Sequence, residues 1–280
     1  MNPTLPATAP AEGTTAPAAV GPASGVLRSR SFRPRISLQL VSIVGGLLSW
    51  QLISSSGFVD PLFLPKLSDI LADLWNLLFS GKLNEHLVAS GIEFGVGMLL
   101  ALAVGISVGV AMGASTRIDK LLIWWVSGFD ATPRIAFAPL LIIWFGIGLE
   151  SKMVLVFISA LFPILLSTAS GVRTTSRELI EMANSFSIPR TMQFRAIVLP
   201  GAVPFVITGI RLGITRGLIG IVVGEMIAST KGVGYLLASA SDTFNMVRVF
   251  SLIIILALVG VTLTTLARAL ERRFDSWRAT

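Results

Sequence analysis

The chain has 280 residues, 53% of them apolar and 13% charged, with a mean hydropathy of +0.81. Soluble domains carry about 25% charged residues, so a chain this poor in charge is read as a membrane protein. The absence of cysteine excludes disulfides, thiolate metal centres and cysteine nucleophiles together, and the net charge of +7 has to be explained by where the basic residues sit.

Residues 1–27 are almost all Ala, Pro, Thr, Gly and Ser, with Glu12 as the only charge. Such a segment cannot bury enough surface to offset its ordering entropy, and it is expected to be a disordered cytoplasmic tail. Residues 28–84 are read as a first membrane helix followed by a periplasmic surface helix. Residues 85–270 form the transmembrane core with a cytoplasmic loop over 173–200, and 271–280 are a cytoplasmic tail.

A helix that crosses about 30 Å of hydrocarbon needs about 20 mostly apolar residues. Six candidates follow in order: 36–55, 87–113, 119–147, 152–171, 202–228 and 249–270. The fold class is therefore all-α, a polytopic membrane protein with about six transmembrane helices. The third candidate is too long and contains Gly128, Pro133 and Pro139, so either an interfacial piece precedes a shorter span or one helix is kinked. Between the first two candidates, residues 67–79 repeat apolar side chains at Ile70, Leu71, Leu74, Leu77 and Leu78 behind Ser68. That is a helix period, but Asp69 and Asp73 and its short length make it a surface helix.

With both termini inside, the cytoplasmic segments hold 14 Lys and Arg, the outer loops hold 5, and Arg134, Arg211 and Arg216 remain within spans. This excess on one face is the positive-inside signature of an even number of crossings. It accounts for the basic balance as topology, without nucleic acid.

Glycines Gly209, Gly213, Gly217, Gly220 and Gly224 fall within about 80° on one helix face. Gly105, Gly109 and Gly113 do the same on the second span, and such faces let backbones approach closely. Six ionisable residues lie within spans: Glu93, Asp130, Arg134, Arg211, Arg216 and Glu225. Charges at that depth face a bundle interior or an aqueous path, so all six are candidates for a translocation pathway, with mutual pairing as the alternative. Asp130 and Arg134 have i, i+4 spacing. Arg211 and Glu225 are about 21 Å apart along one axis and cannot pair with each other. Arg216 lies nearer the glycine face and is the best placed for an interhelical partner.

Enzyme signatures are missing. The single histidine, His86, cannot build a His-His metal site, and no Walker A or dinucleotide fingerprint occurs. Gly105-Ile106-Ser107-Val108-Gly109 matches a nucleophile elbow in letters, but inside a span and without acid and histidine partners it is chance.

The longest cytoplasmic loop runs from Thr174 to Pro200. Thr175 and Glu178 have capping-box spacing, with Leu179, Ala183 and Phe186 following at helical intervals. Ser187 and Pro189 signal a turn, and Pro189 suits the start of a second short helix, Arg190 to Leu199, that stops at Pro200. A helix-turn-helix carrying Phe186, Met192 and Phe194 must pack beneath its own spans or dock to another subunit.

Glu181-Met182-Ala183, then Ser187 after three residues, then Ile197-x-Leu199-Pro200 after nine more, resembles the EAA loop of ABC importer permeases. Residues 139–148 (PLLIIWFGIG) and Gly224-Glu225-Met226 look like the branch that imports nitrate, sulfonates, taurine and bicarbonate. The likeness covers roughly 85–270 and departs at Met182, for alanine, and at Ser187, for glycine. It implies the type I importer permease fold, with Glu178, Glu181, Ala183, Ser185, Phe186, Ser187, Pro189 and Arg190 coupling to an ATPase. It further implies a bacterial inner-membrane homodimer, two ATP-binding cassette subunits and a periplasmic solute-binding protein. The chain itself would then be no enzyme and bind no cofactor, ATP and Mg being held by the partner ATPase. An ion-gradient-driven secondary transporter or channel is the alternative; it would be expected to show an inverted repeat, and none is evident.

Overall fold

The computed structural model describes residues 35–175 and 177–274. The expected N-terminal tail, Ser176 and the last six residues lie outside them. The chain divides at Gly45 into two units. The first, among described residues, is the beginning of α1 (Arg35–Ser55), and the second holds everything from Gly46 onward.

Every described element is helical. After α1 come α2 (Leu67–Phe79), α3 (Lys82–Ala114) and α4 (Thr116–Ala131). A 3-10 turn (Arg134–Phe137) leads into α5 (Ala138–Phe145), followed by α6 (Leu149–Arg173), α7 (Arg177–Ser185) and α8 (Arg190–Gln193). One π-helical turn (Phe194–Val198) joins α8 to α9 (Leu199–Ile227), and α10 (Val233–Asp242) and α11 (Met246–Phe274) complete the chain.

Among the described residues, four helices are long and apolar enough to cross a membrane: 82–114, 149–173, 190–227 and 246–269. The expected third span is a bent pair, 116–131 and 134–145, whose halves meet at 89°. Thr132 and Pro133 occupy the break in extended conformation. Proline there denies the ladder an N–H, and the residue before it is driven out of the helical region. In α1 the apolar stretch is Leu40–Ser55.

Helix α6 is the axis of the second unit, because two glycine faces press onto it. A methyl group on Gly97, Gly105 or Gly109 of α3 would meet Val156, Ile164 or Thr168, in ascending order along α6. On α9, Gly209 and Gly213 lie against Ile164, Gly220 against Ser159 and Gly224 against Leu155, in descending order. Hence α3 runs parallel to α6 and α9 antiparallel to it. Parallel α3 and α6 require the bent pair between them to carry the chain back across, which identifies α4 and α5 together as one crossing. In lipid no apolar gain drives helices together, so this backbone proximity supplies the packing.

The surface helix forms where its period places it. Ile70 and Leu77 are buried, Leu77 in a cluster with Leu252 and Ile255 of α11. Asp73 takes a forked contact from Arg248 at 2.8–3.1 Å, and Ser251 Oγ donates to the Ile70 carbonyl at 3.2 Å. Trp50, in the last part of α1, donates to the Pro65 carbonyl at 3.1 Å and meets the Phe250 ring edge-on.

Two expectations need correction. The second loop helix does not stop at Pro200: α8, the π turn and α9 form one continuous rod over 190–227. The π turn widens the ladder directly before Pro200, where the ring would otherwise clash with the carbonyl four residues back. Helix α10 was not anticipated, although Val233, Leu236, Leu237 and Ala240 carry its period behind Gly232.

Candidate functional site

Three groups of polar residues stand out, at three levels of the bundle.

At one end the chain folds into an elbow of α7 and α8. Ala183 is buried, whereas Glu178, Glu181, Ser185, Ser187, Pro189 and Arg190 are exposed. Large apolar side chains stand outward: Phe186 is 75% exposed, Met192 59% and Met182 53%. The corner is rigid for local reasons. Ser187 has φ 53°, its N–H donates to the Asn184 carbonyl at 2.9 Å, and the Ile188 N–H donates to Ala183 at 3.0 Å. These are the two bonds of a Schellman motif. Gln193, almost fully buried, then donates to Asn184 Oδ1 at 2.8 Å and to the Ile188 carbonyl at 2.9 Å, tying both arms together. Asn184 and Gln193 were not singled out from the sequence. An amide beside the turn was the only signal, and its partner lies nine residues away. The Thr175 hydroxyl donates back to the Val172 carbonyl at the end of α6.

Serine in the left-handed region costs about 1 kcal/mol more than glycine. Ser187→Gly is therefore expected to raise the stability of the detergent-solubilised chain by about that amount, read as an upward shift in melting temperature. An unchanged or lower melting temperature would count against the turn geometry.

At the opposite end, α3, α6, α9 and α10 meet around charged side chains. Glu93, fully buried, pairs with Lys152, itself 5% exposed. Lys152 Nζ also donates to Ser229 Oγ at 2.9 Å. Glu225, 1% exposed, accepts from Ser90 Oγ at 2.5 Å and from the Gly234 N–H at 2.6 Å. Ser90 Oγ in turn accepts from the Val233 N–H at 3.0 Å, and His86 Nδ1 from the Gly232 N–H at 3.0 Å. These donors are the free N–H groups of the first turn of α10. Gly232, at the N-cap, has no side chain and a φ of 117°, so Glu225 reaches across from α9 to cap that helix. A Cβ on Gly232 would collide with the Glu225 carboxyl.

Between these levels, the α4–α5 break opens a cavity of about 260 Å³ lined by Asp130, Thr132, Arg134, Ser159 and Arg216. Arg134 bends back across the break to pair with Asp130, and its Nη2 donates to the Asp130 carbonyl at 3.1 Å. The guanidinium lies 5.8 Å from the Phe162 ring centre. Its Nε is buried and has no hydrogen-bond partner among the described residues. Arg216 is exposed. It does not find the interhelical partner expected of it: it has no ion pair among the described residues, since the nearby acid, Asp130, is already engaged by Arg134. Arg211 lies elsewhere, paired with Glu271 of α11 at 3.3 Å.

Of the six intramembrane candidates, then, Asp130, Arg134 and Arg216 line one cavity, Glu93 and Glu225 belong to the network around α10, and Arg211 links α9 to α11.

Residues 97–276 match the family model described as binding-protein-dependent transport system inner membrane component. The chain is 34% identical over 229 residues to SsuC of Bacillus subtilis, a permease named for aliphatic sulfonates transport, with 82% of this chain and 83% of that one covered. It is 30% identical over 248 residues to TauC of Escherichia coli, the taurine transport system permease protein, with 87% and 90% covered. Among solved structures, a chain of the MetNI methionine ABC transporter in inward-facing conformations superposes with a TM-score of 0.61 at 16% identity, over 69% of this chain and 96% of that one; this likeness speaks to fold. An all-helical bundle with parallel α3 and α6, and an EAA-spaced elbow between its long helices, together with these matches, place the chain in the ABC transporter permease family of binding-protein-dependent inner-membrane components.

Proposed function

We propose that this chain is the membrane half of an ATP-driven importer for a small solute bearing a sulfonate group, such as an alkanesulfonate anion or taurine, with nitrate a smaller anion that the same chemistry would suit. Two copies enclose the path, because the cavity beside Arg216 opens onto the surface of a single chain. The elbow 177–193 faces the cytoplasm with both termini, in a bacterial inner membrane, and seats in a separate cassette ATPase that holds ATP and Mg. A solute-binding protein delivers the substrate to the opposite face. ATP-driven closure of the two ATPase subunits moves the elbow, and the continuous rod into α9 passes that displacement to the bundle.

The observation that carries this reading is the elbow itself: a corner fixed by a Schellman turn and Gln193, yet presenting Phe186, Met192 and Met182 uncovered. Rigid exposed apolar anchors ringed by charge are what a docking knob requires. The relatives named for sulfonate and taurine transport support the substrate class.

Affinity purification from the native membrane tests it. A P-loop ATPase is expected to accompany the chain, and Glu181→Lys is expected to weaken its retention about tenfold, the worth of one charge-assisted contact. A chain that purifies alone and transports on an ion gradient would favour the secondary-transporter reading.

A further inference from the structure

The cavity at the α4–α5 break has a charge and a depth that fit a particular ligand. Ser159 lies ten residues from the start of α6 and Arg216 eleven residues from the end of α9. In antiparallel helices these are the same end, so both sit about 15 Å below it, near the middle of about 30 Å of hydrocarbon. An arginine without a counter-charge at that depth is costly and marks an aqueous or ligand-bearing space. A broken helix is likewise tolerated there only where it lines a cavity or is covered by protein. The lining carries two guanidinium groups and one carboxylate, a net charge of +1.

Its donors are arranged for an oxyanion. Asp130 fixes Arg134 across the break, while Arg134 Nε–H is left without an acceptor among the described residues. Ser159 Oγ, which faces Gly220, and the Arg216 guanidinium also have no hydrogen-bond partner among those residues. Gly220, with no side chain, lets the backbone of α9 pack directly beside Ser159.

We propose that this cavity is a monoanion site in which the Arg216 guanidinium, with Arg134 beside it in the lining, binds a sulfonate group, while Asp130 cancels one cation and so selects single against double negative charge. The proposal rests on the importer reading and deepens it. A sulfonate carries one charge at any physiological pH and three acceptor oxygens, which the two arginines and Ser159 can share. Sulfate has the same tetrahedral shape but a second charge, and it meets a site with only one net positive charge.

The test uses the full assembly, two copies of this chain with the ATPase and the solute-binding protein, in proteoliposomes with radiolabelled ethanesulfonate, a net monoanion, as probe and sulfate as competitor. Arg216→Gln is expected to reduce uptake about 30-fold, the loss of a charged hydrogen-bonding partner, and Arg216→Lys to restore part of it. Retention of the ATPase on the purified variant reads assembly independently of the cavity. Asp130→Asn leaves a net charge of +2, and sulfate is then expected to inhibit at about tenfold lower concentration than in the parent. Uptake by Arg216→Gln within twofold of the parent, or sulfate inhibition unchanged in Asp130→Asn, overturns the site. A parent assembly that couples ATP hydrolysis to the uptake of another solute but does not carry ethanesulfonate overturns the sulfonate reading instead, a separate result.

Discussion

Gly109→Leu is expected to leave little folded protein in the membrane. A Cβ at this position would stand 2.7 Å from both the Leu165 carbonyl oxygen and Thr168 Cβ. The first is backbone and cannot rotate away, so α3 and α6 must separate. Overpacking a close contact costs about 1–3 kcal/mol and more where backbone has to move. Because α6 is wedged between α3 and α9, separation on one side loosens the other, and the total is set against only about 5–15 kcal/mol of stability. The measurement is monodisperse yield by fluorescence-detected size exclusion, followed by a melting curve. Gly95→Ala, on the same helix with open space around it, is expected to melt at or above the parent temperature, since alanine favours a helix over glycine. Equal behaviour of the two variants would show that the glycine face does not set the helix spacing.

Lys152→Met is expected to be nearly as severe, by about 3–5 kcal/mol. It leaves the fully buried Glu93 without its cation and removes the donor to Ser229. Breaking one side of a buried pair costs far more than replacing both sides, because the surviving charge stays desolvated. The double variant Glu93→Leu with Lys152→Met should therefore recover most of the lost melting temperature. If Lys152→Met alone melts like the parent, the pair contributes nothing to holding α3 against α6.

What the sequence discloses, and what it hides, follows the range of the interactions. Helix periods and glycine faces repeat every few residues, so the long helices, the surface helix and the closely packing faces of α3 and α9 are legible from spacing alone, whereas their common neighbour α6 is not. The turn at Ser187 is legible too, because its bonds close within six residues. Long-range pairings are not. Lys152 reads as an outer-loop cation, yet it starts a turn inside α6 and pairs with Glu93, 59 positions earlier. Arg211 finds Glu271 across 60 positions, and Glu225 caps a helix whose own N-cap residue has no side chain to offer. Pro133 marks where the third crossing breaks, but nothing in the local spacing gives the 89° angle or the meeting of Asp130 and Arg134 with Arg216 of α9 in one cavity.

The unbroken run from α8 through the π turn into α9 has a geometric consequence. Arg216 lies 26 positions beyond Arg190, a path of about 39 Å at helical rise, and its bearing around the axis is fixed by every residue in between. One inserted residue would swing the guanidinium by about 100°, off the cavity wall, while each glycine downstream turned out of register with α6. This stretch can exchange letters freely on its outer side, but its length is locked like the thread of a screw.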